Sequence, residues 1–387
     1  MTAPVLRGQP SIVDLAVAVG SQIVAPAATS VDVEARFPRE AFDALAVEGM
    51  LSAFVPRSQG GHGSSITDIA AVTEELARHC SSTAMVHAMH QIQVACLVRH
   101  GRSPALQELT RELVDKQLIF ASATTELGIG GDVRTSTCAV ERDGSQFRLT
   151  KNAPVISYGA HADAIFTTAR RDRDSQPNDQ VLVVCRRDSL TLEPTSVWNT
   201  LGFRGTCSPG FVLTASGDAD LILEEPYGDV SAHTMLPVSH ILWSSVWLGM
   251  ASAAVDTARR FVRNAARSRP GTTPPGAMRL AELMCLYQQF EETVHSAARR
   301  YDAIRDDPDA LSSMSFAITM NTLKVGSSNV VVDIISRAML IVGIAGYRED
   351  SDYSLGRLLR DAHGAALMVN NDRILANTAQ LLLVAKD

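Results

Sequence analysis

Between Val230 and Val255 the chain carries no Asp, Glu, Lys or Arg. A run of that kind has to be hidden. It can span a bilayer, which takes about 20 mostly apolar residues, or it can fill the centre of a helical bundle, where a helix is apolar on most sides. His233, Pro237, Ser239, His240, Ser244 and Ser245 interrupt the run. A spanning helix should be more uniformly apolar, so the run is expected inside a bundle, with no membrane span.

The flanking sequence supplies the other helices. Pro270-Gly271-Thr272-Thr273-Pro274-Pro275-Gly276 separates the first long helix from a second, expected from Ala277 to Ile304 and ended by Asp306-Asp307-Pro308. A third is expected from Ser312 through Ile341, and a fourth from about Leu367 to Val384. Four long helices with short joins make an antiparallel bundle over 229–387.

Residues 1–118 are helical by period: Phe42, Leu45 and Ala46 recur at helical spacing, as do Ile69, Val72, Leu76 and His79. Asp68 is expected to open a helix ending near His79, and Ser81 or Ser82 to cap the next, which stops at Gly101. Residues 119–228 change texture. Short runs of β-formers (138–140, 147–149, 164–168, 181–185 and 211–213) alternate with turn clusters such as Arg142-Asp143-Gly144-Ser145. That pattern predicts a β domain of sandwich or barrel type. The fold class is therefore α+β multidomain: helices, then a β domain, then a helical bundle, with cofactor clefts where the domains meet.

Composition narrows the function. Hydrophobic residues make up 46% and charged residues 20%, so the chain can bury a large core. The formal charge is -7, which gives no electrostatic footprint for nucleic acid. Six scattered cysteines form no C-x-x-C pair, and read as free thiols in a reducing, cytoplasmic setting. No signal peptide is read at the N-terminus. No H-E-x-x-H is present, and the helix holding His87 and His90 has no carboxylate, so no metal site is expected. No G-x-G-x-x-G between strand and helix is found, which disfavours a nucleotide fold of that type.

The densest polar loop is Thr124-Thr125-Glu126-Leu127-Gly128-Ile129-Gly130-Gly131-Asp132, where glycine-freed backbone N–H groups and two hydroxyls could hold a phosphate or a ring edge. It resembles the T-E-x-G-x-G-S-D element of the acyl-CoA dehydrogenase superfamily of flavoproteins. The resemblance extends over almost the whole chain. Residues 37–63 are similar to the family's first helices and G-G loop, and Val155-Ile156-Ser157-Tyr158-Gly159-Ala160 to its F-I-T-N-G-A strand. Leu201 to Thr206 resembles G-M-R-x-T, Val342 to Asp350 resembles G-G-x-G-Y-x-x-D, and Arg357, Arg360 and Asp361 match R-x-x-R-D.

The resemblance implies an N-terminal helical domain, a middle β-barrel-like domain and a C-terminal four-helix bundle, assembled as a homodimer or homotetramer. It implies FAD rather than FMN as cofactor. Thr125, Gly130, Gly131 and Ser157 would line the flavin or a thioester. Arg267 or Arg269 would hold a neighbouring subunit's FAD diphosphate, and Gly343, Gly346 and Asn371 would complete the cofactor contacts.

The family's usual reaction is α,β-oxidation of an acyl thioester carried by CoA or a carrier protein. A carboxylate takes the α-proton while hydride leaves for flavin N5. Here Met368 and Val369 stand where Tyr and the Glu base are usual, and Ser239 stands at the alternative base position. His240 follows in place of an Arg, and Leu340 replaces a flavin-loop Gln. His240 and Asp372 become the candidate bases, with Glu126 behind them. Three expectations follow. Dehydrogenation with a relocated base and an electron-transfer partner comes first. A flavin monooxygenase fed by a flavin reductase, acting with O2 on an aromatic, sulfur or amine substrate, is second. A non-dehydrogenating or inactive partner subunit is third.

Overall fold

The structure is a computed structural model, and it describes residues 10–128 and 134–385. The N-terminal domain comprises α1 (Ile12–Val19), α2 (Ala25–Val33), α3 (Arg39–Val47), α4 (Ile66–His79), α5 (Ser81–His100) and α6 (Pro104–Lys116). Ser65 caps α4: its hydroxyl accepts from Asp68 N–H, and Asp68 reaches back to Ser65 N–H at 2.9 Å. Asp68 thus sits inside the first turn rather than opening the helix. α5 is buried on nearly every side. Its His90 is fixed as one tautomer, because Nε2 donates to the Leu51 carbonyl at 2.8 Å and Nδ1 accepts from Phe120 N–H at 3.0 Å. Burial lowers its pKa to about 4, so it is a neutral tie between α5 and the first strand.

The middle domain holds β1 (Phe120–Ala123), β2 (Glu141–Asp143), β3 (Gln146–Ala153), β4 (Ala164–Arg170), β5 (Gln180–Arg186), β6 (Leu190–Pro194) and β7 (Phe211–Asp218). One sheet has the order β1-β4-β5, with β1 parallel to β4; the other is antiparallel, β2-β3-β7-β6. β3 alternates buried and exposed positions along its length, as a half-buried strand must. Its inward Lys151 crosses between the sheets to the Thr168 carbonyl of β4 at 2.7 Å. The 138–140 run forms only an isolated bridge, Ala139 with Arg170.

α7 (Tyr227–Val230) leads through a π-turn into α8 (Leu236–Ser268), followed by α9 (Ala277–Ile304), α10 (Pro308–Leu311), α11 (Met314–Val342), α12 (Ile344–Tyr347), α13 (Gly356–Ala362) and α14 (Asn371–Val384). The most apolar window of Tyr227–Ser268 is 89% buried, so the charge-free run is the bundle's central helix. Ile12–Val33 and Met314–Val342 are also long and apolar enough to cross a membrane by length and composition, with 28% and 44% of their most apolar windows buried. Among the cysteines Cys80, Cys96, Cys138 and Cys185 are buried, Cys207 is half-buried and Cys285 is exposed.

Candidate functional site

Three elements distant in sequence enclose a cavity of about 470 Å³. Met85 and Met89, one turn apart on α5, form one wall. Trp198 and Phe203, from the connection between β6 and β7, form another. Met368 and Val369, from the turn before α14, close it. Thr125 and Ser157 stand at its edge. Ser157 Oγ accepts from Ser208 Oγ at 2.9 Å, which leaves its own hydrogen for a ligand; Thr125 Oγ1 donates to the Val155 carbonyl at 3.2 Å. A larger groove of about 1070 Å³ lies on the N-terminal domain beside α1. It is lined by the G-G loop, Gly60 and Gly61, but by none of the residues expected at the flavin or the base; Thr125, Ser157 and Val369 all line the smaller cavity, which is therefore the candidate site.

The walls are held from behind. Phe203 has φ +50°, and its carbonyl accepts from Trp198 Nε1 at 3.1 Å and Thr206 Oγ1 at 2.8 Å. Phe203 N–H donates to Asp361 Oδ1 at 2.6 Å, and the Ser81 hydroxyl donates to the other carboxylate oxygen. Asp361 is fully buried, which raises its pKa to about 6 against the lowering effect of those two bonds. Gly202 is required here: a Cβ would lie 2.4 Å from the Arg360 carbonyl. On the opposite wall Val369 has φ +45°, an unfavourable conformation for a β-branched residue. Its carbonyl accepts from the buried Lys324 ammonium at 2.9 Å, which also donates to Asn371 Oδ1 at 2.7 Å.

The structure brings together Thr125, Ser157 and Val369 and separates the other candidates. His240 is buried within α8, its Nδ1 donating to the Met320 carbonyl at 2.9 Å. Burial lowers its pKa to about 4, and it does not line the cavity. Asp372 is exposed in the first turn of α14, also outside the cavity. Glu126 is buried and occupied: it accepts from Ser136 Oγ at 2.6 Å, Cys138 N–H at 2.7 Å and the Thr137 hydroxyl, and pairs with Lys151 at 3.3 Å. Asn371 bonds Lys324 and Ser328 instead of lining the cavity.

Arg267 and Arg269 are exposed at the end of α8, and Gly343 is exposed with φ +69° at the end of α11; Gly346 is buried against Met339 and Val342. Leu340 is exposed there. Gly130 and Gly131 lie outside the described residues. Among the described residues that line the cavity there is no Asp or Glu; Arg360 and His363 are its ionisable groups, and Arg360 is paired to Asp32 and Glu349.

Sequence reasoning missed Met85, Met89, Trp198 and His363 as lining residues. The i, i+4 spacing of the two methionines was a visible signal, but on a helix buried all round it singles out no face.

An apolar slot with hydroxyls at one edge suits a flat heteroaromatic ring that needs a few polar contacts at its rim. It lies between helical domain, β domain and bundle, and similarity to known proteins places the chain among flavin-dependent oxidoreductases. The model for the acyl-CoA dehydrogenase N-terminal domain matches residues 9–132, and that for the C-terminal domain matches 228–378; the chain belongs to the acyl-CoA dehydrogenase superfamily, whose members bind FAD. It is 25% identical to a cyclohex-1-ene-1-carbonyl-CoA dehydrogenase of Geobacter metallireducens, over 92% of each chain. Its fold is similar to FMN-bound TdsC, a dibenzothiophene monooxygenase of Paenibacillus sp. A11-2, with a TM-score of 0.84 and 17% identity over 96% of each chain. It is equally similar to the butyryl-CoA dehydrogenase of Megasphaera elsdenii, with a TM-score of 0.83 and 20% identity over 99% of this chain and 100% of that one.

Proposed function

We propose that this flavoprotein oxygenates a small apolar substrate, with reduced flavin and O2 as co-substrates. One observation carries the reading: the described wall of the cavity holds no carboxylate, and Val369 occupies the position at which the family resemblance places the base. Removing an α-proton from a thioester needs a base within hydrogen-bond reach. His240, Asp372 and Glu126 are buried elsewhere, exposed elsewhere or fully engaged, which leaves His363, exposed at the cavity's edge, as the one described lining residue that could take a proton. Oxygen insertion makes no such demand. One atom of O2 would enter the substrate and the other leave as water, with a reduced flavin bound in the slot supplying the two electrons and two protons that this requires.

The chain's own residues would shape that event. Met85, Met89, Trp198, Phe203, Met368 and Val369 would give the bound ring and substrate apolar walls. Ser157 offers a hydroxyl hydrogen at its edge. The fold of a monooxygenase among the neighbours is compatible with this chemistry, and the acyl-CoA dehydrogenases among the relatives keep thioester oxidation as the competing reading.

The assembly proposed is a homodimer or homotetramer. Leu340, Ile344 and Tyr347 are exposed at the end of the bundle beside Gly343, and there Arg267 or Arg269 would reach a neighbour's flavin diphosphate as a bidentate fork. A flavin reductase is the matching partner.

The deciding experiment begins with the oxidised flavin complex, without oxygen, mixed with saturated acyl-CoAs. The flavin band should not bleach; bleaching would establish thioester oxidation and remove the oxygenase reading. Reduced flavin, O2 and a panel of phenols, thioethers and amines should then yield a product heavier by one oxygen atom.

A further inference from the structure

Lys324 lies in the interior of the bundle with no exposed surface. Among the described residues no carboxylate lies within ion-pair distance of it. Its ammonium has neutral acceptors, the Val369 carbonyl at 2.9 Å and Asn371 Oδ1 at 2.7 Å, and the Trp247 ring 5.8 Å away. Burial alone lowers its pKa, to about 8. A buried cation without an anion is a poor way to gain stability, since an apolar side chain of similar length would avoid the desolvation. Its geometry suggests a different role.

Both of its acceptors belong to one turn. Val369 is held in the left-handed region, where a β-branched residue is rarely found without external restraint. Asn371 opens α14 two residues later, and its amide is held again by Ser328, with Nδ2 donating to Ser328 Oγ at 3.0 Å. The carbonyl that Lys324 grips is therefore that of the strained residue, and the carboxamide is the next fixed point along the chain. The same turn carries Met368 and Val369 into the cavity wall.

We propose that Lys324 is a positioning residue: it clamps the turn from Met368 to Asn371 in its left-handed form and so sets the wall against which the flavin packs. The inference rests on the cavity being the flavin site. The clamp acts through backbone and carboxamide oxygens, so it does not need to touch the cofactor.

The test uses the full chain and four proteins: wild type, Lys324→Met, Val369→Gly and the double variant. Glycine adopts a left-handed conformation without strain, so the clamp should matter less where it replaces valine. FAD and FMN affinities are read by quenching of flavin fluorescence, and the turn itself by hydrogen exchange of residues 364–371. Lys324→Met should weaken flavin binding by about tenfold in the valine background and by less than about threefold in the glycine background, as coupled residues do in a double-mutant cycle. Exchange across the turn should quicken while α5 is unchanged. Equal losses in the two backgrounds, or unchanged exchange, would overturn the clamp. If Lys324→Met does not fold, Asn371→Ala removes the second anchor and is read in the same way. A wild-type chain that binds neither flavin would instead overturn the reading of the cavity, while exchange still reports on the clamp.

Discussion

The pH dependence of stability gives a direct handle on the wall that Phe203 forms. Asp361 is fully buried, and its pKa is raised from 3.8 to about 6, chiefly by burial. A raised acid pKa means that the folded chain keeps its proton where the unfolded chain has already released it. Stability from this group is therefore greatest below about pH 4, falls as pH rises to about 6, and is level beyond. The difference of roughly two units corresponds to about 3 kcal/mol at 1.36 kcal/mol per unit. For a chain of 387 residues that is a shift of about 4 °C in melting temperature. Asp361→Asn keeps an acceptor for Phe203 N–H and removes the titration. The difference in melting temperature between wild type and Asp361→Asn should thus move by about 4 °C in favour of the variant between about pH 4 and 7. Parallel melting curves for the two proteins over that range would refute the argument, because any other titrating group is common to both.

Glu126→Gln should destabilise the β domain by about 3–5 kcal/mol in denaturant titration, since it leaves Lys151 buried without its counter-charge. A loss under about 1 kcal/mol would mean that Lys151 is neutral in the fold. His240→Ala should bind flavin as wild type does and leave the pH profile of turnover between about 6 and 8 unchanged, because the imidazole is already neutral there and lies outside the cavity. A loss of turnover of about a hundredfold in a normally folded protein would return His240 to the chemistry. Val369→Glu places a carboxylate in the cavity wall; the variant should bleach its flavin with an acyl-CoA when the wild type does not, and failure to gain any bleaching would show that more than the base is missing.

Much of the fold was readable because its signals are local. Ala277–Ile304 appears with the expected limits since Gly276 and Asp306-Asp307-Pro308 punctuate it. The charge-free run is the core of α8 because it offers no polar face. Strands were harder. β1 pairs in parallel with β4 inside the fold, so it shows no alternation, and β6 is a partly exposed edge that reads as loop. Long-range partners were invisible. Ser81 does not cap α5, because Cys80 occupies the capping position without a side-chain bond; its hydroxyl serves Asp361 instead. The last helix begins at Asn371 rather than Leu367 because Val369 turns left-handed. Thr125, Ser157 and Val369 were found by motif, whereas Met85 and Trp198 become neighbours only when the helical and β domains close on each other.

That left-handed turn also bears on the choice of reaction. In the family the chain resembles, the base belongs to this stretch, so its geometry would serve to aim a carboxylate. Here the turn is strained, gripped by a buried lysine and part of the cavity wall, and the side chain it presents is valine. A turn released from all function would be expected to relax, because strain and a buried cation both lower stability. A slot whose described wall is apolar and holds no carboxylate suits a reaction that needs the flavin held against an apolar substrate and needs no carboxylate base beside it. Oxygen insertion would meet both conditions, whereas α-proton abstraction would need a base from outside this turn, and His363 is the described lining residue that could supply one.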